Sequence, residues 1–154
     1  MSESRITYRG MVYPWHCDHM GHMNVMWYTS KFDEACWQLL GMLGLRPARF
    51  AQEGTGMAAV EQRNQYKREL HAGDAVTIQS SILEIGENSI QMLHQMFDDA
   101  AGEVAATSVV VGVHIDARTR KAVRLPDDVR QKANAMKGQE AACAETKSMV
   151  ETSA

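Results

Sequence analysis

The sequence predicts an α+β fold in which an antiparallel sheet of about five strands wraps one long central helix. Two observations carry that expectation. The first is a single strongly periodic helical stretch, with apolar residues at Val25, Tyr28, Phe32, Ala35, Cys36, Leu39, Leu40 and Leu43. The second is that the extended segments after it are joined by short turns, whereas a parallel crossover needs about a dozen residues or more. A helix this apolar needs cover, and strands with one buried face supply it.

Residues 5–14 open the chain as a strand, with Ile6, Tyr8 and Val12 on one side and Thr7 and Arg9 on the other, ending at Pro14, which cannot donate to a ladder. The helix follows Asn24, a residue type that caps helix starts, and stops at Gly44, with Pro47 just beyond. A loop containing Gly54 and Gly56 leads to extended segments at 57–70, 75–85, 89–98 and 103–115. The turns between them are His71-Ala72-Gly73-Asp74, Gly86-Glu87-Asn88 and Asp99-Ala100-Ala101-Gly102. In the first segment Val60, Tyr66 and Leu70 share one face, and Glu61, Arg63 and Lys67 share the other. Pro126-Asp127-Asp128 starts a short helix to Met136, with proline in its first turn and acids favouring its dipole. Residues 1–137 are therefore expected as one domain, and 138–154 as a polar, charged tail that frays.

A length of 154 residues suffices for a core that needs no disulfide or structural metal. The net charge of −3, with Lys and Arg scattered among Asp and Glu, gives no basic stripe for a phosphate backbone, so no nucleic-acid partner is expected. No early apolar run has signal-peptide length, and the stretch from Val109 to Ile115 is too short to span a bilayer, so no membrane partner is expected either. The cysteines, Cys17, Cys36 and Cys143, are odd in number and far apart; they fit a reducing, cytoplasmic setting rather than a disulfide framework.

Chemistry concentrates in Trp15-His16-Cys17-Asp18-His19-Met20-Gly21-His22-Met23-Asn24, just ahead of the helix. Gly21 reads as a tight-turn residue and Asn24 as the cap, so Asp18 lies beside first-turn N–H groups that lack intrahelical partners. Such groups, at the positive end of the helix dipole, are the fixed donors that a developing oxyanion requires. The plainer alternative is that Asp18 and Asn24 only satisfy a turn and a helix end. His16, His19 and His22, with Cys17 and Asp18 between them, suit zinc by ligand type. Gly21 interrupts any helix that would align them, and no second ligand cluster follows, so no metal is expected.

The Asp18-x-x-Gly21 step, the Gly-His-Met-Asn helix entry, Tyr28 and an acid closely followed by Ala35 resemble the acyl-CoA thioesterases of the hot-dog fold, in the 4-hydroxybenzoyl-CoA thioesterase-like branch. The likeness runs over residues 5–120 and includes the Gly73-Asp74 turn. It implies hydrolysis of an acyl-CoA to a free acid and CoA, without a cofactor. It implies that Asp18 is the catalytic carboxylate, as nucleophile or general base, and that the backbone N–H of Val25 polarises the thioester carbonyl. His22, Asn24 and Tyr28 then lie beside the substrate, and the chain forms a homodimer or homotetramer with sites at the subunit interface.

There are two departures: His16 stands where many relatives carry an acid, and Asp33 where the helix register of many has Glu. An acyl-CoA hydratase or dehydratase of the same fold, and a non-catalytic acyl-CoA binding module, remain as other readings. Trp15, Trp27 and Trp37 are candidates for an acyl pocket or for packing, and Arg63, Lys67, Arg68, Arg118, Arg120 and Lys121 for the CoA phosphates. Cys17 is expected to pack, and Glu61 to sit on an exposed, ion-paired strand face.

Overall fold

The computed structural model describes residues 4–137. Its elements are β1 (Arg5–Met11), a 3-10 turn (Pro14–His16), α1 (Val25–Met42), α2 (Pro47–Glu53), β2 (Thr55–Tyr66), β3 (Ala75–Ile85), β4 (Ser89–Asp98), β5 (Glu103–Asp116) and α3 (Asp127–Lys137). The strands form one sheet in the order β1-β3-β4-β5-β2, with every pairing antiparallel. The helix α1 packs across β1, β3 and β4. This is the α+β, hot-dog arrangement expected from the sequence.

The apolar stripe of α1 buries Tyr28, Phe32, Ala35, Leu39 and Leu40. Two clusters divide that burial. Toward the N-terminal half, Tyr28, Phe32 and Ala35 pack with Val12, Met23 and Ile78. Toward the C-terminal half, Leu39, Leu40 and Leu43 pack with Ile82, Met92 and Val129, the last from α3. Between the clusters a polar row crosses the sheet, Ser80 standing opposite His94 and His94 opposite Ser108. His94 Nδ1 lies 2.5 Å from Ser80 Oγ, which lies 2.7 Å from Thr7 Oγ1. Burial pushes the His94 pKa down to about 4, so its ring is neutral at physiological pH.

The structure corrects several expected boundaries. β1 stops at Met11, because the chain turns into the 3-10 segment at Pro14. The segment expected at 57–70 is a strand over Thr55–Tyr66. It ends where the Lys67 and Arg68 N–H groups both turn to the Ala105 carbonyl, leaving Leu70 buried beyond the strand. A register shift between Ala59 and Glu61 also breaks the alternation and leaves Val60 63% exposed, so Val60, Tyr66 and Leu70 share no buried face. The helix α2 was not expected: proline opens it, and Gly54 closes it in the left-handed region at φ 66°. The tail at 138–154, with Cys143, lies outside the described residues. Cys17 and Cys36 are free thiols, and among the described residues no helix is long and apolar enough to cross a membrane.

Candidate active site

The segment ahead of α1 closes on itself through its backbone. Gly21 sits at φ 84° and donates its N–H to the Asp18 carbonyl at 3.0 Å, while the Asp18 N–H reaches the His22 carbonyl at 3.2 Å. Nothing lies within 4 Å of the place a Gly21 Cβ would occupy, so the turn needs glycine for its dihedral and not for space. The Asn24 N–H donates to the His16 carbonyl at 2.9 Å, and the Met23 N–H to the Leu70 carbonyl at 2.7 Å. These bonds tie the segment to itself and to the chain that leaves β2.

Asp18 Oδ1 accepts the Met20 N–H at 2.8 Å, and Oδ2 accepts the Asn24 side-chain amide at 2.7 Å. The Asn24 side-chain oxygen accepts the Met26 N–H at 2.9 Å and so caps α1. One side chain thus links the carboxylate to the helix end. The Asn24 and Met20 donors, in that order, hold the Asp18 carboxyl below its ordinary value of 3.8, which keeps it ionised at neutral pH. A carboxylate offers about four lone-pair sites, so about two remain for a water or an electrophilic carbon.

In the first turn of α1 the Met26 N–H is taken by the Asn24 side chain and the Trp27 N–H by the Asn24 carbonyl. The Val25 N–H has no acceptor among the described residues, as the first position of a helix allows. Val25, His22 and Tyr28 line one cleft of about 240 Å³ together with Tyr66, Arg68 and Glu69. Tyr28 is buried, its hydroxyl donates to the Arg68 carbonyl at 3.3 Å, and its ring meets Tyr66 edge-on at 5.1 Å. Burial pushes that phenol up to about 12, so it stays a neutral hydroxyl.

The Asn24 side chain joins Asp18 to the first turn of α1, where Val25 begins the helix; Val25, His22 and Tyr28 line the neighbouring cleft, and Asp18 and Asn24 are not among its lining residues. His22 faces the cleft wall, 3.8 Å from the Glu69 carboxylate. His16 is buried elsewhere, its Nδ1 accepting the Tyr13 N–H at 2.9 Å, and its pKa is lowered by burial first and by the Lys31 charge second. His16 and His22 therefore meet different partners, and among the described residues no group of three His, Cys, Asp or Glu side chains is placed to hold a metal ion.

Tyr66 and Glu69 are cleft residues that no sequence signal marked, because the chain after β2 reaches α1 through the long-range Met23–Leu70 bond. Of the basic candidates, Lys67 and Arg68 line the cleft, and Arg68 is held by Asp98 at 3.0 Å and Glu103 at 2.7 Å. Arg63 and Glu61 face each other at 3.6 Å with both side chains exposed. Trp27 packs partly buried on the core, Trp37 meets Phe50 edge-on, and Trp15 is 65% exposed.

A model of the thioesterase-like superfamily matches residues 12–133. Among curated relatives, an L-carnitine dehydrogenase/betainyl-CoA thioesterase of Rhizobium meliloti (strain 1021) is 29% identical over 115 residues, which is 75% of this chain and 23% of the relative. The chain thus spans about a quarter of the length of the curated relatives it matches. Among solved structures, a Staphylococcus aureus protein in complex with CoA superposes with a TM-score of 0.81 at 19% identity, over 86% of this chain and 84% of that one. A 1,4-dihydroxy-2-naphthoyl-CoA thioesterase from Synechocystis gives a TM-score of 0.74 at 18% identity, over 83% and 94%. These two likenesses speak to the fold.

Proposed function

Because the chain belongs to the thioesterase-like superfamily, we infer that it hydrolyses an acyl-CoA to the free acid and CoA, with Asp18 and the Val25 N–H as the reacting pair. The observation that carries this reading is the Asn24 link. It fixes an ionised carboxylate beside a helix end whose first N–H is unclaimed. The thioester carbonyl oxygen accepts the Val25 N–H, which becomes a stronger partner as negative charge develops there. Asp18 then adds to the carbonyl carbon, the C–S bond breaks, and CoA leaves as a thiolate that takes up a proton. Water opens the resulting mixed anhydride to two carboxylates. The alternative step has Asp18 take a proton from the water that attacks directly. The lowered Asp18 pKa keeps the group ionised at neutral pH, as both routes require.

His22 and Tyr28 are the proposed acyl-side contacts, and Asn24 is the proposed positioning residue. The working unit is read as a homodimer or homotetramer with sites at the subunit interface. The cleft supports this, since about 240 Å³ is below the 300–1,000 Å³ usual for small-molecule sites. So does β2, which lies at the edge of the sheet and leaves Val60 63% and Tyr66 47% exposed. The functional domain is taken to end at Lys137, and the proposed compartment is the cytoplasm, which keeps thiols such as Cys17 and Cys36 reduced.

The test is free-thiol release from a panel that includes betainyl-CoA, a hydroxyaromatic acyl-CoA and short aliphatic acyl-CoAs. Turnover of one class supports the reading and names the substrate. A specific observation favours a second reading, the binding module: both Asp18 oxygens already hold the bonds of a turn and a cap. Saturable acyl-CoA binding with no thiol release from any panel member would establish that module instead.

A further inference from the structure

A second concavity lies between β1 and the face of α1 that carries Trp27 and Lys31, and it shares no lining residue with the proposed catalytic cleft. It measures about 560 Å³ and is lined by Tyr8, Tyr13, Trp15, His16, Trp27 and Lys31. Lys31 is only 3% exposed. Its ammonium donates to the Tyr8 hydroxyl at 2.7 Å and stands 4.9 Å from the centre of the Tyr8 ring. Among the described residues no carboxylate lies within ion-pair distance of it. A buried charge with one neutral partner is unusual, because desolvation has to be compensated by pairing.

The donors around that ammonium outnumber the acceptors. Because the Lys31 ammonium donates to the phenol oxygen, two ammonium N–H groups and the Tyr8 O–H are left without acceptors among the described residues. Since His16 Nδ1 accepts the Tyr13 N–H, its proton in the neutral ring is on Nε2, which makes it a further donor. The Tyr8 placement is built in: a Cβ on Gly10 would run into the Tyr8 phenol, so the glycine makes room for the ring that meets Lys31. The walls are flat. Tyr13 and Trp15 stack at 4.4 Å and 3°, and His16 and Trp27 lie 4.7 Å apart. Exposed Asp33 and Glu34 also line the groove, but water screens their charge far more than it screens that of Lys31.

We propose that this groove is a binding site for a small aromatic carboxylate, whose ring lies against Trp15 and Trp27 and whose anion takes the free donors of Lys31, Tyr8 and His16. The site is separate from the Asp18 carboxylate and the Val25 N–H, and the proposal stands whichever acyl group the chain hydrolyses.

Intrinsic fluorescence reads it directly, since two of the three tryptophans line the groove and Trp37 stands apart against Phe50. Benzoate should quench saturably, with benzamide and benzylamine binding about tenfold more weakly or worse, as expected for charge-assisted bonds. Lys31→Met should weaken benzoate about tenfold or more, and Tyr8→Phe, which keeps the ring, about threefold. Asp18→Asn should leave the binding unchanged, which separates this groove from the catalytic cleft. If Lys31→Met does not fold, Tyr8→Phe decides. Equal binding of benzamide, absence of saturable quenching, undiminished binding in Tyr8→Phe, or loss of binding in Asp18→Asn would each overturn the proposal.

Discussion

The two ends of α1 have opposite characters. At the C-terminal end, Leu39, Leu40 and Leu43 are sealed between the sheet and α3, and the backbone is closed by the Leu45 N–H on the Leu40 carbonyl at 2.9 Å. At the N-terminal end, Val25 is 55% exposed, its N–H is unclaimed, and the Asp18 carboxylate is held by the Met20 N–H and the Asn24 side chain. The helix is continuous from one end to the other, so the sealed end can anchor it while the open end holds an unclaimed donor, the Val25 N–H, in a fixed direction. The packed end and the proposed reactive end thus lie about a helix length apart, as expected where a site draws on the less protected part of a fold.

Substitutions can test that division. The largest effect is expected for Asp18→Asn at the open end: a loss of about 10²–10⁴-fold in kcat/KM, with a near-wild-type melting curve. Leu39→Ala at the sealed end should do the reverse, lowering stability by about 2–5 kcal/mol in urea titration while the folded fraction keeps its kcat. If Leu39→Ala cut kcat as strongly as Asp18→Asn, the ends would not be separable.

The row between the two clusters should show itself through pH. The His94 pKa in the fold is about 4 against 6.5 ordinarily, so between those values the unfolded chain binds a proton that the folded chain refuses. Stability should therefore fall as pH drops from 6.5 toward 4, and the lowered pKa of His16 acts in the same direction. Asp18 stays ionised across that window because its carboxyl sits below 3.8. Urea midpoints should thus decline with acid before kcat/KM of the folded enzyme does. Coincident declines would contradict the assignment of the low value to Asp18. The smallest effect belongs to Asn24→Ala, which removes a helix cap worth about 1 kcal/mol and frees the carboxylate, so kcat should fall more than the melting temperature suggests.

Much of this was readable from residue types and spacing. The period from Val25 to Leu43 marks α1, the short turns mark β3, β4 and β5, and Asp18, Gly21 and Asn24 mark the segment ahead of the helix. What the sequence hid was non-local. The shift at Val60 depends on pairing with β5, and Tyr66 and Glu69 reach the cleft only because Leu70 binds Met23. No sequence signal marked Lys31, which is buried with its ammonium on the Tyr8 hydroxyl, over Gly10. The Asn24 side chain caps α1 through its oxygen, as its residue type suggests, and also donates to Asp18, a bond that spacing alone did not mark.

The most direct test of the open helix end is Val25→Pro. Val25 is the first helical residue, where proline is well tolerated, and Asn24 before it already has the extended φ −70° and ψ 146° that a following proline requires. The change deletes the proposed oxyanion donor and little else, with Val25→Ala as the control that keeps it. If the Val25 N–H is the oxyanion donor, Val25→Pro should melt near wild type and lose about 10²–10³-fold in kcat while Val25→Ala stays active. Wild-type turnover in a folded Val25→Pro protein would contradict it.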